Sequence, residues 1–441
     1  MERKDIMRRA CWVLVLVLLI GSLAVSFGSI GAASKWTGTI QVWDFPRPAA
    51  AEEWELQAFK EFEELHPGVK IEYTKLTWAG GNEKLDVSVA AGQPPDICGS
   101  GLRLPYILQG ALEPIDDFLT AEDLKDFHEE TLNAVKLNGK YWAWPWYNTL
   151  YVMYLNADLF NERGVPLPEN GEWTWDEFLS AMQKLTFDRD GDGKIDVYGF
   201  GFTFQPTYLQ PFGFIYAEGG RVLDIDKNEF ILDSPEAVVG IQRLCDMVWK
   251  HKCALPGAGG LTTTDVNNAF LNTRSIAAFV DTTGIISSFE AHNEKVEKGE
   301  IEGEKINLVT AQYPRGKNGQ PIAAGPGVGS WAVFKQKDDA KREVVMELAK
   351  FITRGEGQKE VVPLIGVFPS CKSAGNVWAG NKNLEHIVPA VEYAVYPPMH
   401  PNWNKIDEKI MRELQLAVLN EKTIDAALKE AKRQIERLLE Y

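Results

Sequence analysis

From Thr39 onward apolar positions alternate at Ile40 and Val42. They then recur at helical spacing through Trp54, Ala58, Phe59, Phe62 and Leu65, until His66-Pro67-Gly68 ends the run. Alternation returns at Val69, Ile71 and Tyr73. A second helical pattern through Leu85 and Val89 stops at Gly92, and Pro94-Pro95 leads into a short apolar strand at Asp96 to Cys98. Strand, helix, strand, helix is the rhythm of α/β units built on a parallel sheet. After Gly139 the stretch YWAWPWYNTLYVMYLN reads as strand interrupted by Pro145, and the helix that follows has Thr174 and Glu177 at capping-box spacing. Helices are predicted near 235–251 and 264–273. The Gly- and Pro-rich PRGKNGQPIAAGPGVGSWAVFK breaks the pattern before another strand and a helix with Val344, Val345, Leu348 and Phe351 on one face. Two amphipathic helices, Ile406 to Leu419 and Ile424 to Leu439, close the chain.

One turn stands outside this rhythm. DRDGDGKID, residues 188–196, sets Asp188, Asp190, Asp192 and Gly193 at positions 1, 3, 5 and 6 of an EF-hand-type calcium loop, with Asp196 at position 9. Position 12, which needs a bidentate glutamate, is Gly199. The flank Tyr198, Phe200 and Phe202 alternates like a strand where an EF-hand has a helix. Asp and Gly build tight turns without metal, so Asp188, Asp190, Asp192 and Asp196 stand as candidate ligands of a structural calcium at the surface, and no other cofactor is expected.

The amino end changes the picture of where the chain works. Arg3, Lys4, Arg8 and Arg9 precede an uncharged run from Ala10 to Ser34 that closes in small residues, the form of an export signal. The apolar stretch from Cys11 to Phe27 approaches bilayer-spanning length, so residues 1–34 are read as a signal peptide or an uncleaved anchor. Export to the periplasm or the outer face of the cytoplasmic membrane is expected. Without those residues the net charge moves from −16 to −18, because four basic and two acidic side chains leave; such a body repels nucleic acid. The remaining cysteines, Cys98, Cys245, Cys253 and Cys371, lack metal-ligand spacing, and a Cys245–Cys253 disulfide is left open. No nucleophile motif, zinc signature or phosphate-binding glycine loop is present, and nothing singles out a carboxylate pair for glycoside hydrolysis. Fourteen tryptophans exceed what a core demands. Trp43, Trp78, Trp144, Trp146, Trp331, Trp378 and Trp403 sit beside turns, where flat rings suit the CH faces of sugars.

The order of the motifs IQVWDF, FKEFEELHPGVKIEY, AAGQPPDI, GALEPIDDFL, NGKYWAWPWYNTLYVMYLNADLF, TWDEFLSAMQKLTFDRDGDGKIDVYGFGF, EGGRVL, DSPEAVVGIQRL and IGVFPSCKSA resembles that of family 1 extracellular solute-binding proteins of ABC importers, the maltose-type sugar-binding branch. The resemblance implies a two-lobed α/β fold of periplasmic-binding-protein type. The lobes would be 35–147 with 322–369, and 148–321 with 370–441, joined by crossings near Trp146 to Asn148, Ile322 to Pro326 and Pro369 to Lys372. It implies a non-enzymatic, monomeric protein that closes on a sugar by hinge motion and delivers it to membrane permease subunits. Carried over by motif, the ligand-binding positions are Phe45, Arg47, Ser100, Arg103, Trp146, Tyr147, Asn148, Gln205, Thr207, Tyr208, Thr282, Thr283 and Trp403, with Trp78 and Trp331 added from their loop positions. The aspartate-rich turn is one of the recurring pieces. Gly284 is followed by Ile285 instead of the usual tryptophan and ICGSG carries no aromatic, so maltose itself is not the expected ligand. Arg47 or Arg103 in a cleft would need a sugar hydroxyl pair or an acidic ligand group as partner. A secreted carbohydrate-active enzyme, an anchored ligand sensor, and a binder of peptides, polyamines or metals are the rival readings.

Overall fold

A computed structural model describes residues 36–207 and 209–440; the expected leader lies outside them. The chain opens with β1 (Gly38–Asp44), whose inward positions Ile40, Val42 and Asp44 alternate with half-exposed ones. Helix α1 (Ala49–Leu65) buries Ala51, Glu55, Ala58, Phe59 and Phe62, one stripe at i, i+4, i+7, i+8 and i+11. It returns the chain to β2 (Val69–Lys75), parallel to β1 with Ile40 opposite Ile71. After α2 (Gly81–Ala90), β3 (Ile97–Gly99) pairs on the other side of β1, also parallel. The short helix α3 (Glu129–Asn133) precedes β4 (Trp144–Thr149).

One residue later β5 (Tyr151–Asn156) opens a second sheet. Helix α4 (Trp175–Lys184) starts on the predicted capping box: Thr174 and Glu177 cap each other reciprocally. Then come β6 (Tyr198–Gly201), α5 (Pro235–Trp249), α6 (Thr263–Leu271), β7 (Ile276–Thr282) and β8 (Leu308–Ala311). The sheet order is β8-β5-β7-β6, with β6 and β7 parallel and β5 antiparallel to β7 and β8.

The chain returns through a short parallel ladder, Ala323–Ala324 against Ala394–Val395, to β9 (Gly327–Val333), which inserts antiparallel between β3 and β4. Pro145 cannot donate to a ladder, and its partner strand shifts register there, between Gly329 and Ser330. Helices α7 (Asp339–Thr353) and α8 (Gly355–Ile365) cover this sheet, and β10 (Phe368–Pro369) completes it in the order β10-β4-β9-β3-β1-β2. The closing pair α9 (Trp403–Val418) and α10 (Ile424–Leu439) seats Ile410, Met411, Leu414, Leu428 and Ile435 in the second core.

Two lobes, each with its own sheet and core, therefore make up the fold. The first sheet keeps Thr149, two residues past the expected 147/148 boundary. At the other crossing Cys371 packs in the first core and Ser373 bonds Asp126 (2.7 and 2.6 Å), so the chain stays with lobe one to Ala374. Cys245 and Cys253 are free and buried. No helix among the described residues is long and apolar enough to cross a membrane.

Candidate functional site between the lobes

Parallel strands β1 and β3 end at the crossings, and so do β6 and β7 from the other lobe, so the carboxyl ends of both sheets face one region. Ligands of open α/β sheets bind at such ends.

The lobe-one bank is built on Arg47, just after β1. Its side chain is only 4% exposed. Its Nε and Nη2 donate to the two oxygens of Asp44, each at 3.0 Å. Nη1 donates to the Tyr147 hydroxyl and Nη2 reaches Ser100 Oγ at 3.5 Å. The guanidinium also lies 5.2 Å from the Trp146 ring centroid and 5.4 Å from that of Tyr147. Asp44 and Glu55 are both fully buried. Gly99 makes the room: a Cβ there would stand 2.0 Å from Asp44 Oδ1. Burial pushes the Asp44 carboxyl up against the pull of Arg47, and burial followed by the Asp44 charge pushes Glu55 well above the carboxylate range. Glu55 lies within hydrogen-bonding reach of Asp44, while its contact with Arg47 is long, 3.9 Å. Asp44 is the carboxyl paired with Arg47, and Glu55 is the one that burial and the Asp44 charge hold well above the carboxylate range.

Around it, Phe45 is buried and carries the Trp78 ring stacked on it at 4.7 Å and 25°, with Trp78 itself 61% exposed. Arg103 pairs with Asp86 at 2.7 Å and reaches the Tyr106 hydroxyl at 3.1 Å. Three expected contact residues are corrected. Trp146 and Trp331 are fully buried in the first core, 5.6 Å apart: Trp331 pairs with Trp144 across β4 and β9, and Trp146 falls at the register shift between the strands, so the Gly and Pro interruptions beside them are strand irregularities, not exposed loops. Asn148 is fully buried with its amide spent inside the protein. Its Oδ1 accepts from Thr131 Oγ1 (2.8 Å) and the Tyr396 hydroxyl (2.6 Å), and its Nδ2 donates to the Pro369 carbonyl (2.8 Å).

On the lobe-two bank, Gln205 Oε1 accepts from the Thr263 amide at 3.1 Å, and the Thr207 amide donates to Asp407 Oδ2 at 2.6 Å. Thr282 ends β7, its carbonyl accepting from the Tyr154 hydroxyl at 2.8 Å. Thr283 is buried and its hydroxyl donates to the Gly366 carbonyl of lobe one, a contact between lobes. Trp403 opens α9, half-buried against the second core. Tyr208 lies outside the described residues.

Residues 48–359 match the profile of a family described as bacterial extracellular solute-binding protein. The chain belongs to that family. This solute-binding protein is 22% identical to the diacetylchitobiose binding protein DasA of Streptomyces coelicolor, over 93% of this chain and 92% of DasA. Its fold is similar to that of the cyclic alpha-maltosyl-1,6-maltose binding protein from Arthrobacter globiformis, with TM-score 0.75, 18% identity, and coverage of 92% and 99% of the two chains. The sugar-binding protein MalE from Xanthomonas citri gives TM-score 0.73 at 19% identity, covering 91% and 97%.

Two further features of the solute-binding protein lie away from the Arg47 bank. Tyr147 and Asn148, successive on β4, point to opposite sides. On the Asn148 side a cavity of about 540 Å3 opens between the lobes, walled by Glu130, Asn133 and Lys136 of lobe one and by Arg221, Asp226, Tyr396 and Met399. None of the sequence-expected ligand residues lines it. In the aspartate turn, ligand atoms of Asp188, Asp190 and Asp196 lie within 4.8 Å of one another. Asp192 is instead turned to its own Lys194, whose amide it accepts at 2.8 Å and whose Nζ stands 3.3 Å away. The two oxygens of Asp188 accept from Gly193 and Gly191 amides, each at 2.7 Å, and these bonds, Gly193 first, hold its carboxyl below the usual range. Three clustered carboxylates supply part of the six to eight oxygens calcium takes, the rest of which come from carbonyls and water in such loops.

Sequence reasoning missed Asp44, Glu55, Asp86 and Asp407. For two of them the signal was present. Glu55 interrupts the apolar stripe of α1, and Asp407 interrupts that of Trp403, Ile410, Met411 and Leu414 on α9; a lone carboxylate in such a stripe is a buried, partnered group.

Proposed function

We propose that this solute-binding protein captures an uncharged carbohydrate between its lobes, outside the cytoplasmic membrane, and hands it as a monomer to an ABC permease without chemical change. The leader serves as a cleaved signal or an anchor. The observation that carries this reading is the buried, two-bonded Arg47–Asp44 pair. The cation of the lobe-one bank already has its counter-charge, so an acidic ligand group is not needed, and the bank offers the half-exposed Ser100 hydroxyl and the exposed Trp78 face. The name of DasA and those of the two structural neighbours, all binders of sugars, point the same way. Closure follows only if the sugar binds the closed form better than the open one.

The test is thermal shift and calorimetry on the chain from residue 35 with maltotriose, diacetylchitobiose, arabinose oligosaccharides, an acidic amino acid and a polyamine, with product analysis alongside. Stoichiometric binding of one sugar class without product is the expected result. Binding of the amino acid or polyamine alone would end the carbohydrate reading, and turnover of the sugar would make the protein an enzyme.

A further inference from the structure

After β6, Gln205 to Thr207 and Leu209 to Pro211 stand at the crossing end of lobe two. This loop is tied there at its far side: the Leu209 amide meets the Tyr151 hydroxyl at 3.4 Å, and the Tyr313 hydroxyl donates to the Gln210 carbonyl at 2.6 Å. At its tip, Thr207 has φ of 71°. Left-handed backbone drives Cβ against the neighbouring carbonyl, and a β-branched residue suffers it most. An exposed threonine holds that conformation only if something outside the loop imposes it.

The imposing group is visible. Asp407 is 2% exposed, one turn into α9 from Trp403, and its Oδ2 accepts the Thr207 amide at 2.6 Å. Its Oδ1 is buried without a hydrogen-bond partner among the described residues. Burial pushes the carboxyl up to about 6, with the Thr207 bond working against it. A half-satisfied buried carboxyl weakens the fold that keeps it, so stability does not account for an acid in this apolar stripe.

We propose that Asp407 is a positioning residue, which fixes the left-handed backbone of Thr207 and so sets how Gln205 and Thr207 meet the ligand. The inference deepens the sugar-binding reading and, for its effect on affinity, rests on it.

The experiment compares the wild-type chain with Asp407→Asn, Asp407→Ala, Thr207→Gly and the Thr207→Gly/Asp407→Ala double variant. Amide hydrogen exchange of the peptide spanning 205–211 is read without ligand, then melting temperature, then calorimetric titration with maltotriose and diacetylchitobiose. Asp407→Ala is expected to speed exchange of the loop at least tenfold and to weaken sugar binding about tenfold, with the melting temperature unchanged or raised. Asp407→Asn, which keeps an acceptor oxygen, should restore most of both. In the Thr207→Gly background, where the left-handed backbone needs no restraint, removing Asp407 should weaken binding by less than threefold. Unchanged loop exchange in Asp407→Ala, or an equal loss of affinity in both backgrounds, would overturn the proposal. If neither sugar binds the wild-type chain, the carbohydrate reading fails by itself, while the exchange data still decide whether Asp407 holds the loop.

Discussion

Replacing Arg47 with Ala removes the single cation from a pocket holding two fully buried carboxyl groups. Both of its 3.0 Å bonds to Asp44 vanish, the Tyr147 hydroxyl loses its donor, and nothing from solvent reaches Asp44. Breaking a buried pair this way costs about 3–5 kcal/mol, because the surviving charge is left uncompensated. For a unit of one lobe's size that corresponds to a fall of about 10 °C in melting temperature. The cost also has a pH signature. Glu55 has its folded pKa raised above the unfolded value near 4.5. Below that value it is protonated in both states and costs nothing; as pH rises toward the folded pKa, the unfolded state ionises first and stability is lost. Asp44, also raised, adds to this once Arg47 is gone. Melting of the variant and the wild type, followed by circular dichroism at pH 5, 6.5 and 8, should therefore show the smallest deficit at pH 5. Glu55→Gln in the wild-type background should lessen the loss between pH 5 and 8. An Arg47→Ala protein that melts within about 2 °C of wild type at pH 8, or whose deficit is no smaller at pH 5, would refute this account of the buried carboxyls.

Trp78→Ala should weaken sugar binding about tenfold in calorimetry while leaving the melting temperature within about 1 °C, since its ring is 61% exposed and rests only on Phe45 in the stack described. Asn148→Ala removes the partner of the Thr131 and Tyr396 hydroxyls and of the Pro369 carbonyl, and should cost about 2–4 kcal/mol in denaturant melts. Chelator is expected to leave the melting temperature unchanged, because Asp188 and Asp196 already close their turn on the backbone amides of Gly191, Gly193 and Arg189. A rise of several degrees on adding calcium would instead make the turn a metal site.

The elements and their alternation were legible because each is written in local periodicity: the α1 stripe, the capping box at Thr174, the closing helix pair. The lobe-one bank was legible in part. Arg47, Ser100 and Tyr147 do come together, but through contacts 53 and 100 residues apart that no local pattern encodes. Trp146 and Trp331 were misread since Pro145 and the glycines before Trp331 look like loop, whereas strand pairing on both sides absorbs them. Asn148 shows the same limit from the other direction: its identity suited a ligand contact, and only the arrival of Thr131, Pro369 and Tyr396 shows its amide already spent.

That last knot has a mechanical consequence. A single side chain clasps the outgoing strand to Pro369 and Tyr396, and the strand just before Tyr396 is laddered to Ala323–Ala324 of the remaining crossing, so the three connections cannot pivot one at a time. We expect the molecule to swing as if on one axle, with open and shut as its only well-populated settings. Fluorophores placed on the two lobes should then give two transfer efficiencies whose proportions change with sugar, and a continuous drift between them would show that the axle slips.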